Sequence, residues 1–328
     1  MTRYSSVTSM TRLSILYCGL LAVLVVSGCS DSGDARFGEP VENIRLTGCA
    51  DTDSCFSNPP LQIGENRPAV VRIPSDYTTT TRYPLIVLLH GLGADGAIQA
   101  AYLGLNPRVD TQQYILVAPD GTVNAQGNRF WNATSACCAD EEEQNQVDDV
   151  AYIRSLIEEA AATYSIDSGR IGLYGHSNGG FLALRMACEA SDLVTSVVSL
   201  AGSTFADMAM CAPATYPVSV LTLHGDLDAI IFYDGRQNGL ASYPGALETI
   251  SRFAGYAQCD TDNPTMALNL DVIGNVDGEE TTVLAYSDCA EGTDVTLWTI
   301  VGGPHTPFPW VESAIDSTVD WLIEHRRD

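Results

Sequence analysis

Lysine is absent from the 328-residue sequence, and all sixteen of its basic residues are arginine. Acidic residues number 41, so the formal net charge is -25 at pH 7. A chain with this excess of acid repels phosphate backbones and anionic lipid headgroups, which argues against binding to nucleic acid or to a membrane surface. The composition instead favours a soluble surface suited to salty surroundings.

The N-terminal apolar run is too short to span a membrane. It covers 13–26, fourteen residues, follows Arg3 and Arg12, and is typical of the hydrophobic region of a signal peptide. It ends in Val-Ser-Gly-Cys at 26–29, which looks like a bacterial lipobox with Cys29 as the lipidated residue. An ordinary secretory cleavage nearby is the alternative. The sequence therefore predicts a lipoprotein-type signal peptide over 1–28, a small and polar flexible tether over 29–40, and an extracellular or outer-membrane location.

The cysteines lack the spacing of a zinc site, so no metal is expected. Besides Cys18 in the signal peptide and Cys29, eight cysteines remain, and an even number in an exported chain predicts disulfides. Eight cysteines allow many pairings, and the sequence alone fixes none of them. Proximity along the chain suggests Cys49–Cys55, Cys188–Cys211, Cys259–Cys289 and a bridge between the adjacent Cys137 and Cys138.

Short apolar runs alternate with helical patterns from residue 68 onward. Runs such as 85–89 are continuously apolar, which is typical of strands buried on both faces of a parallel sheet. The predicted strands are 69–73, 85–89, 114–118, 171–174, 194–200, 218–223 and 295–301, and the predicted helices are 150–164, 179–189, 245–257 and 311–325. This alternation predicts an α/β fold with a doubly wound, mostly parallel sheet and helices on both faces. The sequence contains no internal repeat and no segment of clearly different composition after residue 41, so 41–328 is expected to form a single catalytic domain.

A candidate nucleophile lies in Gly-His-Ser-Asn-Gly at 175–179, between a predicted strand and a predicted helix. A nucleophile elbow has this context, because flanking glycines let the backbone turn sharply and expose the serine above the sheet. Ser177 is therefore the predicted nucleophile. The alternative is a tight turn whose serine caps a helix.

A serine hydroxyl needs a base, and the sequence has five histidines. His305 is the predicted base, because the Gly-Gly-Pro segment before it suits a loop that reaches over the sheet edge. His176 adjoins the serine, but its side chain is expected to point away from the site. His325 lies in the polar C-terminal tail, and His90 and His224 are expected to shape loops.

Two acids follow the strand that ends near His224. The chain order of serine, acid and histidine in this kind of hydrolase favours Asp228 as the acid, with Asp226 as its rival. Acyl transfer also needs N–H donors for the developing oxyanion. The expected donors are the amide of Asn178, directly after the serine, and that of Leu92 in the loop after an early strand.

Aromatic residues near these loops are candidates to line an acyl or aromatic pocket, although each one could equally be core. The candidates for substrate binding are Trp131, Tyr233, Phe308 and Trp310.

With these motifs the chain resembles the secreted polyhydroxybutyrate depolymerase and feruloyl esterase family of α/β-hydrolase serine esterases. The shared features run from about residue 84 to 310 and comprise Leu-His-Gly at 89–91, Trp-Asn at 131–132, the cysteines at 137–138, Val-Asp-Asp at 147–149, the elbow, 224–228 and His-Thr at 305–306. The resemblance implies that Ser177, Asp228 and His305 form the catalytic triad. It also supports the bridges Cys188–Cys211 and Cys259–Cys289.

The chain departs from the family pattern near the predicted base, where Pro307–Trp310 replaces the Trp-Pro pair that commonly follows His-Thr. The prediction is an exported serine carboxylic ester hydrolase acting through an acyl-enzyme, on polyhydroxybutyrate-type polyester or its oligomers. Alternatives are a feruloyl or acetylxylan esterase, a peptidase on the same fold, and a non-catalytic surface binding protein. The expected partner is the ester substrate, no cofactor is expected, and a lipid anchor would be the sole link to a membrane.

Overall fold

The central strands are apolar on both faces. The computed structural model describes residues 46–138, 147–211, 215–236 and 242–327. Every side chain of strand β3, Tyr83–Leu89, is buried. Successive side chains enter opposite cores, with Leu85 and Val87 in one hydrophobic cluster and Ile86 and Leu88 in the other. Because side chains alternate across a strand, such a strand must be covered by helices on both faces.

The described strands form one large sheet and two short hairpins. Their bounds are β1 Gln62–Ile63, β2 Ala69–Arg72, β3 Tyr83–Leu89, β4 Ile115–Ala118, β5 Thr122–Val123, β6 Arg129–Phe130, β7 Ile166–His176, β8 Ser196–Leu200, β9 Ser219–Gly225, β10 Gly235–Arg236, β11 Tyr243–Pro244, β12 Asp260–Leu270, β13 Thr281–Ser287 and β14 Val295–Ile300. The large sheet has the order β1-β2-β4-β3-β7-β8-β9-β14-β13-β12. Its strands from β4 to β14 are parallel, and its two edges are antiparallel.

Helices cover both faces of this sheet. The described α-helices are α1 Cys49–Thr52, α2 Gly96–Tyr102, α3 Leu105–Gln112, α4 Asp149–Thr163, α5 Asn178–Glu189, α6 Ala246–Tyr256 and α7 Glu312–Glu324. Helices α4, α5 and α6 pack into the first cluster, and α2, α3 and α7 pack into the second. The predicted mostly parallel sheet with helices on both faces is therefore confirmed.

The sequence-based assignment missed elements at the periphery. Helix α2 has seven residues and α3 contains a proline, so neither shows a long apolar period. Strand β13 has mostly half-buried side chains and is paired antiparallel to β12, so it lacks the burial on both faces that marks the central strands. The predicted signal peptide, the tether and the lipidation site Cys29 lie outside the described residues, as do the first positions of the predicted domain 41–328.

Asp149 at the start of α4 places a buried carboxylate against a partly buried guanidinium. Its side chain has no exposed surface; Oδ1 lies 2.7 Å from the Arg67 guanidinium, and Oδ2 accepts the backbone N–H of Asn132 at 2.7 Å. The adjacent Asp148 is exposed, and its side chain accepts the N–H of Ala151 as the N-cap of the helix. Asp149 thus joins the helix to the segment that contains Trp131.

Replacement of Asp149 by Ala should destabilise the fold by about 3 kcal/mol, because it leaves a partly buried guanidinium and a buried N–H without their acceptor. The matched variant Asp148→Ala should cost about 1 kcal/mol, the value of a helix cap. Urea unfolding at neutral pH measures both. Equal losses in the two variants would contradict the role assigned to the Asp149–Arg67 pair.

Candidate active site

Ser177 lies at the sharp turn between β7 and α5. Its backbone has φ 55° and ψ -119°, a strained conformation for a residue with a side chain. A Cβ at Gly175 would collide with the backbone of Gly179, and a Cβ at Gly179 would collide with the backbone of Leu89. Glycine is therefore required on both sides of the serine, and the local geometry is that of a nucleophile elbow.

Three predicted side chains meet at this turn. His305 Nε2 lies 2.9 Å from Ser177 Oγ, and His305 Nδ1 lies 2.7 Å from Asp228 Oδ2. All three residues are buried. Since a carboxylate oxygen only accepts, the Nδ1–H of His305 donates to Asp228, which leaves the Nε2 lone pair to accept the serine proton. The arrangement can perform nucleophilic attack with general-base assistance.

Asp228 is held as a carboxylate by several donors. Oδ1 accepts the backbone N–H groups of Ile230 at 2.8 Å and Ile231 at 2.9 Å, while His224 Nε2 lies 3.3 Å from Oδ2. Burial alone would raise the pKa of Asp228, but the hydrogen bonds from His224, His305 and Ile230 outweigh it and hold that pKa well below its ordinary value. The acid is therefore ionised throughout the neutral range.

The rival acid makes a different contact. Asp226 is exposed, and its Oδ1 accepts the N–H of Gly302 at 2.6 Å. It therefore supports the loop that leads to His305, whereas Asp228 contacts the imidazole itself.

The predicted oxyanion donors lie on the two segments that adjoin Ser177. Asn178 is the first residue of α5, where backbone N–H groups have no acceptor within the helix. The other segment passes close to the serine, because a Cβ added at Gly91 would lie 3.5 Å from Ser177 Cβ. Leu92 follows in this segment, with a half-exposed side chain. The backbone around Ser177 can therefore present N–H groups to a bound ester.

His90 anchors the Leu92 segment. Its Nε2 accepts the N–H of Gly121 at 2.9 Å, so its Nδ1–H donates to the carbonyl of Gly91 at 2.8 Å. Burial lowers the pKa of His90, which keeps this ring neutral. The indole Nε1–H of Trp131 donates to the His90 carbonyl at 2.9 Å. The loop-shaping role expected of His90 agrees with these bonds.

The four candidate aromatic residues occupy different environments. Trp131 has no exposed surface, and its ring packs on His90 at 4.9 Å between centroids, so it supports the loop from below instead of lining an open surface. Tyr233 is half-buried, with its hydroxyl 2.7 Å from Thr299 Oγ1. Trp310 packs against Tyr102, whereas Phe308 is 66% exposed. Of the four, Phe308 has the most surface available to a ligand.

Two histidines differ from expectation. His176 was expected to point away from the site, but its Nε2 lies 3.1 Å from the His305 carbonyl and the two rings lie 5.3 Å apart. The expectation considered the strand alone, whereas the His305 loop folds back over the end of β7 and covers His176. His224 bonds the carbonyl of Ile231 at 2.8 Å and also contacts Asp228, so it does more than shape a loop.

Sequence reasoning also missed the side chain of Asn178. Its Oδ1 accepts the N–H of Trp131 at 2.7 Å, and its Nδ2 donates to the carbonyls of Trp131 and Cys137 at 3.0 and 3.3 Å. The structure contains the four suggested disulfides, Cys49–Cys55, Cys137–Cys138, Cys188–Cys211 and Cys259–Cys289. The Cys137–Cys138 segment is thus bonded to the residue after the serine.

Within the described ranges, no helix combines the length and apolar character needed to cross a bilayer.

Comparison with known proteins identifies the family of the chain. Residues 75–242 match a family model described as phospholipase/carboxylesterase, and this range contains Ser177 and Asp228. Feruloyl esterase D from Neurospora crassa is 25% identical over 283 residues, which cover 80% of this chain and 84% of that protein.

Solved structures show the same fold. An acetyl xylan esterase from Aspergillus awamori superposes with a TM-score of 0.55 at 14% identity, covering 80% of this chain and 97% of that one. A thermostable esterase gives 0.50 at 17% identity, covering 79% of this chain and 59% of that one. The predicted α/β-hydrolase fold and the predicted resemblance to the feruloyl esterase family are confirmed, and the chain belongs to the phospholipase/carboxylesterase family of ester hydrolases.

Proposed function

We propose that this protein is a serine carboxylesterase in which Ser177, His305 and Asp228 form the catalytic triad. The observation that carries the proposal is the continuous hydrogen-bonded chain from Ser177 Oγ through His305 to Asp228, with distances of 2.9 and 2.7 Å. In the first step Ser177 Oγ attacks the ester carbonyl carbon, and His305 Nε2 takes the hydroxyl proton. Asp228 fixes the imidazole and stabilises the imidazolium that forms.

The tetrahedral intermediate carries its negative charge on the former carbonyl oxygen. The amides of Leu92 and Asn178 are the proposed donors to that oxygen. When the intermediate collapses, the bond to the alcohol oxygen breaks, and His305 gives its proton to the leaving alcohol. A water molecule then attacks the acyl-enzyme with the same base, which releases the carboxylic acid and restores the serine.

The chain is further proposed to be exported, with a signal peptide over 1–28, lipidation at Cys29 and a catalytic domain over 41–328. The support is the apolar run that ends in the lipobox-like segment, together with four disulfides, which persist in oxidising compartments.

Two substrate classes are proposed. Oligomers of 3-hydroxybutyrate suit the exposed apolar side chains on the loops that carry the site: Leu92, Leu227, Ile230 and Phe308. Feruloyl or acetyl esters of plant polysaccharide are favoured by the names of the relatives, a feruloyl esterase and an acetyl xylan esterase.

A comparison of acid release separates the two classes. The protein lacking residues 1–28 is assayed on a soluble 3-hydroxybutyrate oligomer, on methyl ferulate and on acetylated xylan, at low and high salt. At least a tenfold higher kcat/KM on the oligomer than on either of the other esters is expected for the polyester class. The reverse preference moves the site to plant-wall esters, and activity on none of the three contradicts both substrate proposals.

A further inference from the structure

We propose that His176 and Tyr102 are positioning residues that hold the His305 loop in register with Ser177, through hydrogen bonds to the main-chain carbonyls of His305 and Pro307. This inference rests on the proposed function, because it assigns these two residues a role through the proposed base.

The two bonds come from different elements and reach the same loop. His176, the last residue of β7, places Nε2 3.1 Å from the carbonyl oxygen of His305. Tyr102, the last residue of α2, donates its hydroxyl to the carbonyl of Pro307 at 2.8 Å. A carbonyl oxygen only accepts, so both side chains act as donors. The loop is thus tied on both sides of Thr306, to the end of β7 through His176 and to the end of α2 through Tyr102.

The rings form a column beneath the proposed base. The centroids of Tyr102 and His176 lie 5.5 Å apart, and those of His176 and His305 lie 5.3 Å apart. On the far side, Trp310 packs edge-on against Tyr102 at 5.9 Å. The column therefore supports the His305 imidazole from below while Asp228 and Ser177 occupy its two nitrogens.

His176 is suited to a constant donor role. Burial first, and then the neighbouring His305, lower the pKa of His176 to about 4. The ring accordingly stays neutral through the neutral range, and its single proton lies on Nε2, where the His305 carbonyl accepts it. A neutral donor places no positive charge next to an imidazole that must itself become cationic during turnover.

The bond between His176 and the His305 carbonyl affects the distance between the nucleophile and the base. His176 directly precedes Ser177, so one bond ties the strand that orients the nucleophile to the backbone of the base. A displacement of a catalytic group by about 1 Å costs on the order of 100-fold in rate. The role is one of geometry between reacting groups, which affects kcat while leaving the surface that binds the substrate unchanged.

The test compares His176→Leu, which removes the donor, with His176→Gln, whose amide nitrogen reaches the same position. On a short soluble ester, His176→Leu is expected to lower kcat by about 10- to 100-fold with KM within a factor of two, and His176→Gln to recover most of that loss. A kcat of His176→Leu within threefold of wild type overturns the inference. A loss in both variants alike also overturns it, because the donor would then not carry the effect.

A second pair of variants keeps the inference testable if His176→Leu does not fold. Tyr102→Phe keeps the ring and removes only the bond to Pro307, and about a fivefold or greater loss of kcat is expected. Tyr114→Phe is the matched control. Tyr114 donates its hydroxyl to the carbonyl of Leu105 over 2.7 Å, and this bond makes no contact with the triad. Equal kcat in the two variants overturns the role of Tyr102. An inactive wild type, or an active Ser177→Ala variant, contradicts the proposed function instead.

Discussion

Replacement of Ser177 by Ala is expected to lower kcat for ester hydrolysis by a factor on the order of 10⁴ to 10⁶, the range seen when a triad nucleophile is removed. The reason is chemical: without Oγ no acyl-enzyme forms, and His305 has no proton to take. The residual rate comes from the oxyanion donors and from substrate binding alone. Hydrolysis of a chromogenic short-chain ester measures the loss directly.

The fold should survive this substitution. Ser177 already has φ 55° with a Cβ, so alanine adds no new clash at the turn. The substitution removes the hydrogen bond between the hydroxyl and His305 and leaves the backbone of the turn unchanged. A thermal melting temperature within a few degrees of wild type is the expected check.

Ser196→Ala is a matched control for Ser177→Ala. Ser196 is a fully buried serine that bonds the Leu322 carbonyl at 2.9 Å. It begins β8, whereas Ser177 follows the end of the parallel neighbour β7, so the two serines lie near opposite ends of two adjacent strands. A fluorophosphonate probe should label wild type and Ser196→Ala but not Ser177→Ala. Ser177→Ala activity above a hundredth of wild type would place the nucleophile elsewhere.

The elbow was predictable because its determinants are local. Glycines at 175 and 179 and a buried strand before the serine are visible in a few consecutive residues, and the structure shows that a Cβ at either glycine would collide with backbone. The central strands were predictable for a similar reason, since burial on both faces requires continuous apolar runs.

The contacts around the base were not predictable from spacing. His176 was expected to point away because a strand considered alone does not reveal which loop folds over its end. Tyr102 lies in a seven-residue helix that the apolar pattern did not reveal, 205 residues from its partner Pro307. Contacts of this kind depend on where loops return after the sheet has formed, which pairwise spacing in one sequence does not encode.

The choice between Asp226 and Asp228 shows the same limit. Both acids follow β9 within three residues of its last position, Gly225, and both carry the same charge. Their hydrogen bonds distinguish the two acids. The backbone amides of Ile230 and Ile231 turn the Asp228 carboxylate toward His305, whereas the Asp226 carboxylate accepts the N–H of Gly302.

Asp228→Asn is therefore expected to lower kcat by about 10⁴-fold, whereas Asp226→Asn should remain within about threefold of wild type. In Asp228→Asn the single amide oxygen is drawn to the N–H groups of Ile230 and Ile231, so the amide NH₂ faces His305 Nδ1. That nitrogen must then accept, which moves the imidazole proton to Nε2, where it blocks removal of the serine proton. In Asp226→Asn the amide oxygen can still accept the N–H of Gly302, and no reacting group changes tautomer.

The pH dependence of unfolding and of kcat shows whether Asp228→Asn acts on the tautomer of His305 or on the stability of the fold. The pKa of Asp228 is lowered in the folded protein, so its ionised carboxylate contributes stability that is present above the ordinary carboxyl pKa and is lost as the pH falls through the lowered value. Asp228→Asn should therefore reduce the acid sensitivity of unfolding, while kcat at pH 7 to 9 falls by about 10⁴-fold although the mutant is expected to be folded there. Turnover retained in Asp228→Asn and lost in Asp226→Asn would assign the acid to Asp226. Loss in both would contradict the separate roles given to the two acids, because Asp226→Asn keeps an acceptor for the N–H of Gly302.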